Sequence, residues 1–177
     1  MGNRHPSVAP HGVYPCLGDD RWIAIACFND EEWQSLCRVM GPAGQDLLRQ
    51  ERFATLPDRK SNEDALDWII AQWTRNWEAA ELMTTLQSFG VPAGKVNDCR
   101  DLFEDPQLKH RGHFQYLDHP EMGLYASDRS ELNLSQTPGS LNRAAPLIGQ
   151  DTKYVLREII GITDEEYQTL TAEGVLE

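Results

Sequence analysis

The chain has 177 residues, of which 40% are hydrophobic and 25% charged, with a formal net charge of −12. That length allows one domain or two small ones, and the apolar share is enough for a real core. The acidic balance, with no Lys/Arg run, argues against nucleic acid and against anionic membrane surfaces, and no apolar segment approaches the roughly 20 residues of a membrane span.

The first stretch, MGNRHPSVAPHG, lacks the apolar core of a signal peptide, so the expected location is the cytoplasm. Residues 1–11 show no periodic apolar pattern and read as a linker stiffened by Pro6 and Pro10. Val13, Tyr14, Cys16 and Leu17 then form one apolar run, and Trp22 to Cys27 a second. Gly18-Asp19-Asp20 supplies turn chemistry between them, which predicts a β-hairpin.

Asn29 or Asp30 can cap a following helix; with Asn29 as N-cap, Glu32 falls at N3 and completes a capping box. Trp33, Leu36, Cys37 and Met40 fall on one face of that helix. Gly41-Pro42 stops it, and Asp46 to Phe53 reads as a short helical stretch. Asn62 is expected to cap a helix from Glu63 to about Thr74, with Leu66, Ile69, Ile70 and Trp73 inward and Trp68 and Trp77 edging the same core. Asn76 is expected to cap the next helix, which runs to Phe89 and ends on Gly90.

Residues 91–96 lead through a turn into a short extended piece, and Asn97 or Asp98 caps a short helix. Asp105-Pro106 opens another, with Pro106 at the N1 position that tolerates a missing amide. From Gly112 onward short alternating segments predict a β-meander or loose loops. Asp151 to Ile160 reads as a helix with Val155, Leu156, Ile159 and Ile160 inward. Thr163 and Glu166 form a second capping box ahead of Tyr167 and Leu170. The organisation breaks near residue 110, and the segment beyond it looks too thin for a core of its own.

Few residues point to chemistry. The acidic groups Asp19-Asp20, Asp30-Glu31-Glu32 and Asp164-Glu165-Glu166 lie at turns and helix N-termini, where capping explains them. His110 and His113 lack further ligands at metal spacing and read as part of a helix C-terminus closed by Gly112, so no metal is expected. Cys16, Cys27, Cys37 and Cys99 form no CxxC pair, and three of them read as small buried hydrophobes. No GxSxG, HExxH, GxGxxG or Walker pattern occurs. Asn29 stands at a strand-to-helix corner, where a side chain can project into a cleft.

Several stretches together carry a resemblance. They are Gly2-Asn3-Arg4 with Ala9-Pro10 and Tyr14, Ala24-Ile25-Ala26 into Asn29-Asp30, and Phe53-Ala54-Thr55 with Arg59 and Asn62. GVPAGKVND (90–98), EDPQLKHRGHF (104–114), DHPEMG (118–123), RAAPLIGQDT (143–152) and GITDEEYQTLTAEGVL (161–176) complete the set. In order and extent this resembles the C-terminal half of a family III CoA-transferase, the CaiB/BaiF group.

The resemblance implies an α+β small domain with a short antiparallel sheet and several helices over 12–110. It also implies a returning segment over 111–177 whose C-terminal helices would complete a Rossmann-like large domain. The family nucleophile is an aspartate of the N-terminal half, which attacks the acyl-CoA thioester. This chain would then line the cleft without supplying the nucleophile, and would be inactive alone. It would bind no cofactor, with coenzyme A or acyl-CoA as substrate of the parent enzyme. The implied partners are acyl-CoA, a carboxylic acid acceptor, and either a second copy in an interlocked homodimer or the N-terminal half. His11, Tyr14 and Asn29 are the expected substrate contacts, with no catalytic residue among them.

Two other readings stay open. One is a non-catalytic binding or dimerisation domain. The other is a 2-methylacyl-CoA racemase. The racemases resembling this chain carry a glutamate at the Asn29 corner and a tyrosine at His11, and Asn cannot exchange a proton at neutral pH. Formyl-CoA transferases carry a glycine-rich loop before the hairpin, and HPSVAPHG is not one.

Overall fold

A computed structural model describes residues 2–130 and 132–176; Met1 and Glu177, the outer ends of the expected linker and tail, and Glu131 lie outside that description. The chain divides into two compact units, Met1–Asp98 and Cys99–Glu177. Both combine helices with short antiparallel strands, an α+β architecture.

The first unit is built on a three-stranded antiparallel sheet in the order β1-β2-β3. Strands β1 (His11–Pro15) and β2 (Trp22–Ala26) form the predicted hairpin, with His11 opposite Ala26 and Tyr14 opposite Ile23. The short extended piece becomes β3 (Ala93–Val96) on the free edge of β2, with Gly94 opposite Ala24. Period-two alternation puts Tyr14, Ile23 and Ile25 into the core.

Helix α1 (Asp30–Met40) follows directly, and the four residues of its predicted face are the buried ones. Its cap differs in one detail. Asn29 Oδ1 accepts the Glu32 amide at 2.9 Å, but the Glu32 carboxylate reaches one residue further back, to the Phe28 amide at 2.6 Å. Extended backbone at Asn29 turns the Phe28 N–H toward the first turn.

Helix α2 (Pro42–Leu48) starts at Pro42, four residues before the expected Asp46, because Gly41 swings to φ 65° and restarts the chain as a new helix. Gly44 makes this pair possible. A Cβ there would lie 1.9 Å from the Cys37 carbonyl oxygen, so only glycine lets α2 approach α1 this closely. A 3₁₀ turn at Glu51–Phe53 leads into α3 (Leu56–Ser61), a helix the periodicity does not reveal. Thr55 and Asp58 close a reciprocal capping box on it.

Helices α4 (Glu63–Thr74) and α5 (Ala79–Ser88) complete the unit. Their extents match expectation, but their caps do not. Asn62 spends its amide on the Arg52 and Asp58 carbonyls, and Asn76 on those of Gln72 and Trp73, closing α4 behind it. Glu78 caps α5 instead, accepting the Ala80 and Glu81 amides. Trp68 does not edge the core; it is 65% exposed, on the opposite face of α4 from Leu66 and Ile70.

At the centre lies Arg59, fully buried. It donates from Nε to the Ala9 carbonyl at 3.0 Å and from Nη2 to Asp30 at 2.7 Å, and it stacks over Trp33. One buried cation thus joins the segment before β1, the start of α1 and α3.

The second unit holds α6 (Cys99–Glu104), α7 (Pro106–Arg111) and the hairpin of β4 (Phe114–His119) with β5 (Gly123–Asp128). Asp105 caps α7, and Gly112 ends it in left-handed conformation. His119, buried, accepts the Glu121 and Met122 amides at its Nδ1 and so closes the β4–β5 turn. An irregular crossing then reaches α8 (Thr152–Tyr154), which widens into a π-helical Val155–Ile160. Helix α9 (Asp164–Ala172) follows with its Thr163–Glu166 capping box intact. Val155, Ile159 and Ile160, expected inward, are 38%, 66% and 62% exposed. No apolar side chain of this unit is fully buried among the described residues.

Candidate functional site

The residues before β1 pack along the first unit and shape two clefts, one on each side of the strand. The first encloses about 870 Å³ between Gly2–Pro6, the middle of β1 and the exposed side of α4. The second, about 530 Å³, lies over the outer face of the sheet. Its floor is built of small residues, Ala24, Ala26, Ala93 and Gly94, and its wall of Asn3, His5 and His11.

The first cleft is a closed charge network. Arg4 donates from Nη2 to Asp64 at 2.6 Å and to Asp67 at 3.0 Å, with Glu63 at 3.6 Å from its Nε. Lys60 donates to Glu63 at 2.7 Å and to the His5 carbonyl at 2.7 Å. The Tyr14 hydroxyl donates to Asp67 Oδ1 at 2.8 Å. Burial, and then the Asp67 charge, push the Tyr14 phenol well above its ordinary value, so it stays protonated. The hydrogen bonds to Asp64 and Asp67 likewise hold Arg4 in its charged form. Two cations tie three carboxylates together here, which makes the network a brace for the N-terminal segment. Glu63 Oε1 has no partner among the described residues.

The second cleft carries less charge and more ring surface. His11 Nδ1 lies 2.8 Å from the Asn3 carbonyl oxygen. The rings of His5 and His11 are tilted at 5.4 Å between centroids, and Phe28 stands edge-on to both, at 6.5 and 6.0 Å. His5 Nδ1 accepts the Ser7 amide at 3.2 Å.

The three sequence candidates therefore do not share one cleft. His11 lines the second and Tyr14 the first, because residues three apart on a strand face opposite sides. Asn29 lines neither; its carbonyl oxygen is taken by the Glu32 amide. Arg4 and His5 were legible only as members of a linker. The available signal is the acidic spacing Glu63, Asp64, Asp67 on one helix, which asks for a cation from elsewhere. Among the described residues no group of three or more His, Cys, Asp or Glu side chains is arranged to hold a metal ion. The hydroxyl-to-base contacts at these clefts are Tyr14 to Asp67 at 2.8 Å and Ser7 Oγ to His5 Nδ1 at 3.4 Å.

Comparison with known proteins identifies the framework. The model for CoA-transferase family III matches residues 1–152. A probable CoA-transferase of Mycobacterium tuberculosis is 33% identical over 173 residues, which cover 97% of this chain and 22% of that protein. Succinyl-CoA–D-citramalate CoA-transferase of Chloroflexus aurantiacus is 30% identical over 99% of this chain and 43% of its own length. Among solved structures, a CaiB/BaiF family protein from Brucella suis superposes with a TM-score of 0.74 at 31% identity, covering 89% of this chain and 39% of that one. The chain thus spans less than half the length of these relatives. With the match running through both units, the chain belongs to family III of the CoA-transferases.

Proposed function

We propose that this chain forms the small-domain wall and returning segment of an enzyme that moves coenzyme A from an acyl-CoA to a free carboxylate. The observation that carries this reading is the family match over residues 1–152. The attacking aspartate belongs to the part of the family fold outside these 177 residues.

The chemistry balances without a cofactor. The aspartate carboxylate adds to the thioester carbonyl, forming a mixed anhydride and expelling CoA thiolate. The thiolate attacks the aspartyl carbonyl, giving an aspartyl-CoA thioester and the free donor acid. The acceptor carboxylate then attacks that thioester, again forming an anhydride and releasing thiolate. The thiolate finally takes the acceptor acyl group and regenerates the aspartate. This chain's part is to bind and orient. The Ala24, Ala26 and Gly94 floor lets a substrate lie close to the backbone, and His5 and His11 offer polar contact at its edge.

The similar proteins include enzymes named for succinyl-CoA with D-citramalate or L-malate, and for succinate with glutarate. A dicarboxylic acceptor is therefore the first to test. Formyl-CoA:oxalate CoA-transferase of Rhodopseudomonas palustris is 32% identical, but HPSVAPHG is not a glycine-rich loop, which favours the longer acids. Asn29 in place of an acid–base glutamate disfavours the racemase. The 111–177 segment is proposed to finish the large domain. Its exposed Leu132, Leu134, Ile148, Ile159 and Ile160 support a partner surface, either the nucleophile-bearing half or a second copy.

The test is a CoA-exchange assay with succinyl-CoA and L-malate, read by chromatography of the thioesters. Turnover is expected when the chain is supplied with an aspartate-bearing N-terminal half, and none with the chain alone. Turnover by the chain alone overturns the proposed division of labour. A chain that ignores the half and dimerises on its own supports the binding-domain reading instead.

A further inference from the structure

The two histidines of the second cleft are held in opposite tautomers by backbone groups of the N-terminal segment. A carbonyl oxygen only accepts, so His11 Nδ1, at 2.8 Å from the Asn3 carbonyl, must carry the proton, and the neutral ring presents a bare Nε2. An amide N–H only donates, so His5 Nδ1, which receives the Ser7 N–H at 3.2 Å, must be bare, and the proton sits on Nε2. The pair therefore offers one donor, His5 Nε2–H, and one acceptor, His11 Nε2, on rings 5.4 Å apart.

The supports are fixed from outside the pair. Lys60 holds the His5 carbonyl at 2.7 Å, and the Arg4 ion pairs to Asp64 and Asp67 anchor the residue next to Asn3. Arg4 is spent on Asp64 and Asp67, and Lys60 on Glu63. The ring donor at this wall is thus an imidazole rather than a guanidinium.

We propose that His5 and His11 form a matched donor–acceptor pair that grips a 2-hydroxycarboxylate, with His5 Nε2–H on a carboxylate oxygen and His11 Nε2 accepting from the adjacent hydroxyl. This rests on the CoA-transfer reading and narrows its acceptor. A plain carboxylate brings only acceptors and sets an oxygen lone pair against the His11 Nε2 lone pair. A neighbouring hydroxyl supplies the missing donor. With ring centroids 5.4 Å apart, the two Nε2 atoms are close enough for one small hydroxy acid to reach both rings with hydrogen bonds of about 2.8 Å. Phe28, edge-on to both rings, closes one side with apolar surface.

The test is long-range ¹⁵N–¹H NMR of the histidine-labelled chain, well above the ordinary histidine pKa of about 6.5. The expected spectra show His11 as the Nδ1–H form and His5 as the Nε2–H form. L-Malate is expected to move both signals at about tenfold lower concentration than succinate, the worth of one hydrogen bond. His11→Phe keeps the ring contacts and should erase that difference, with amide shifts confined to the neighbourhood of Asn3 and residue 11. His11 in the Nε2–H form, an equal response to both acids, no response to either, or a preference that survives in H11F each overturns the proposal. None of these results touches thioester chemistry, which the exchange assay reads separately.

Discussion

The Tyr14 hydroxyl donates to Asp67 Oδ1 at 2.8 Å across a separation of 53 residues, tying the middle of β1 to α4. Asp67 uses its other oxygen for Arg4, so one carboxylate holds both the sheet and the N-terminal segment. Tyr14→Phe leaves that oxygen short of a partner and is expected to cost about 1 kcal/mol at neutral pH. The same substitution has a pH signature. Folding raises the Tyr14 phenol above 10.0 and, by burial, pushes the Cys37 thiol from 9.0 up to about 12. The folded chain thus keeps protons that the unfolded chain gives up. Stability is full below pH 9.0 and falls as pH climbs beyond it, with the Tyr14 share entering above 10.0. Urea midpoints measured across this range should drop, and drop less steeply above pH 10.0 in Y14F. A pH-independent midpoint contradicts this.

Arg59→Met tests the buried hub. The substitution keeps much of the apolar stem but strands the Ala9 carbonyl and releases Asp30. A loss of about 3 kcal/mol is expected, from one uncompensated buried carbonyl and one lost charged hydrogen bond. Calorimetry or urea unfolding reads it, and a change under about 0.5 kcal/mol, the range of an ordinary surface substitution, contradicts the hub assignment.

Gly44→Ala tests the α1–α2 approach. The added Cβ would meet the Cys37 carbonyl oxygen, which is backbone and cannot rotate away. The helices must part, at a cost of about 1–3 kcal/mol. Alanine is otherwise the better helix former, so a stabilised G44A chain contradicts the packing described.

Asn29→Ala separates capping from substrate contact. Loss of the bond to the Glu32 amide should cost about 1 kcal/mol of stability, and Asn29→Asp, also a good cap, should restore it. If capping is its whole role, the KM for the acceptor, read with the aspartate-bearing half supplied, stays unchanged in both variants. A raised KM in N29A at unchanged kcat assigns Asn29 to the substrate.

Much of the first unit was legible in the sequence because its signals are local. The hairpin turn, the α1 face and the Gly90 stop each rest on a few neighbouring residues. The misplacements occur where a side chain had more than one carbonyl to choose from. Asn62 and Asn76 look like caps by type, yet each closes the turn behind it and not the helix ahead. Helix α3 was missed because Arg59, an apparent surface residue, is its buried position. The candidate site was only half legible. His11 and Tyr14 were expected as substrate contacts through the resemblance, and each lines a cleft. Arg4, Asp67 and His5 converge from residues 4 to 67, and no local pattern announces their meeting. The outward Ile159 and Ile160 have a different cause: Val155–Ile160 is π-helical, so the α-helical spacing that placed them inward does not hold there.

This chain is proposed to position substrate for an aspartate on the other part of the family fold. The most direct measurement is peptide-resolved mass spectrometry after incubation with succinyl-CoA and quenching with hydroxylamine, which converts an aspartyl thioester or anhydride to a hydroxamate. With the aspartate-bearing half present, the account predicts one hydroxamate on an aspartate of that half and none on the 177 residues described here. A hydroxamate on any aspartate of this chain would contradict it.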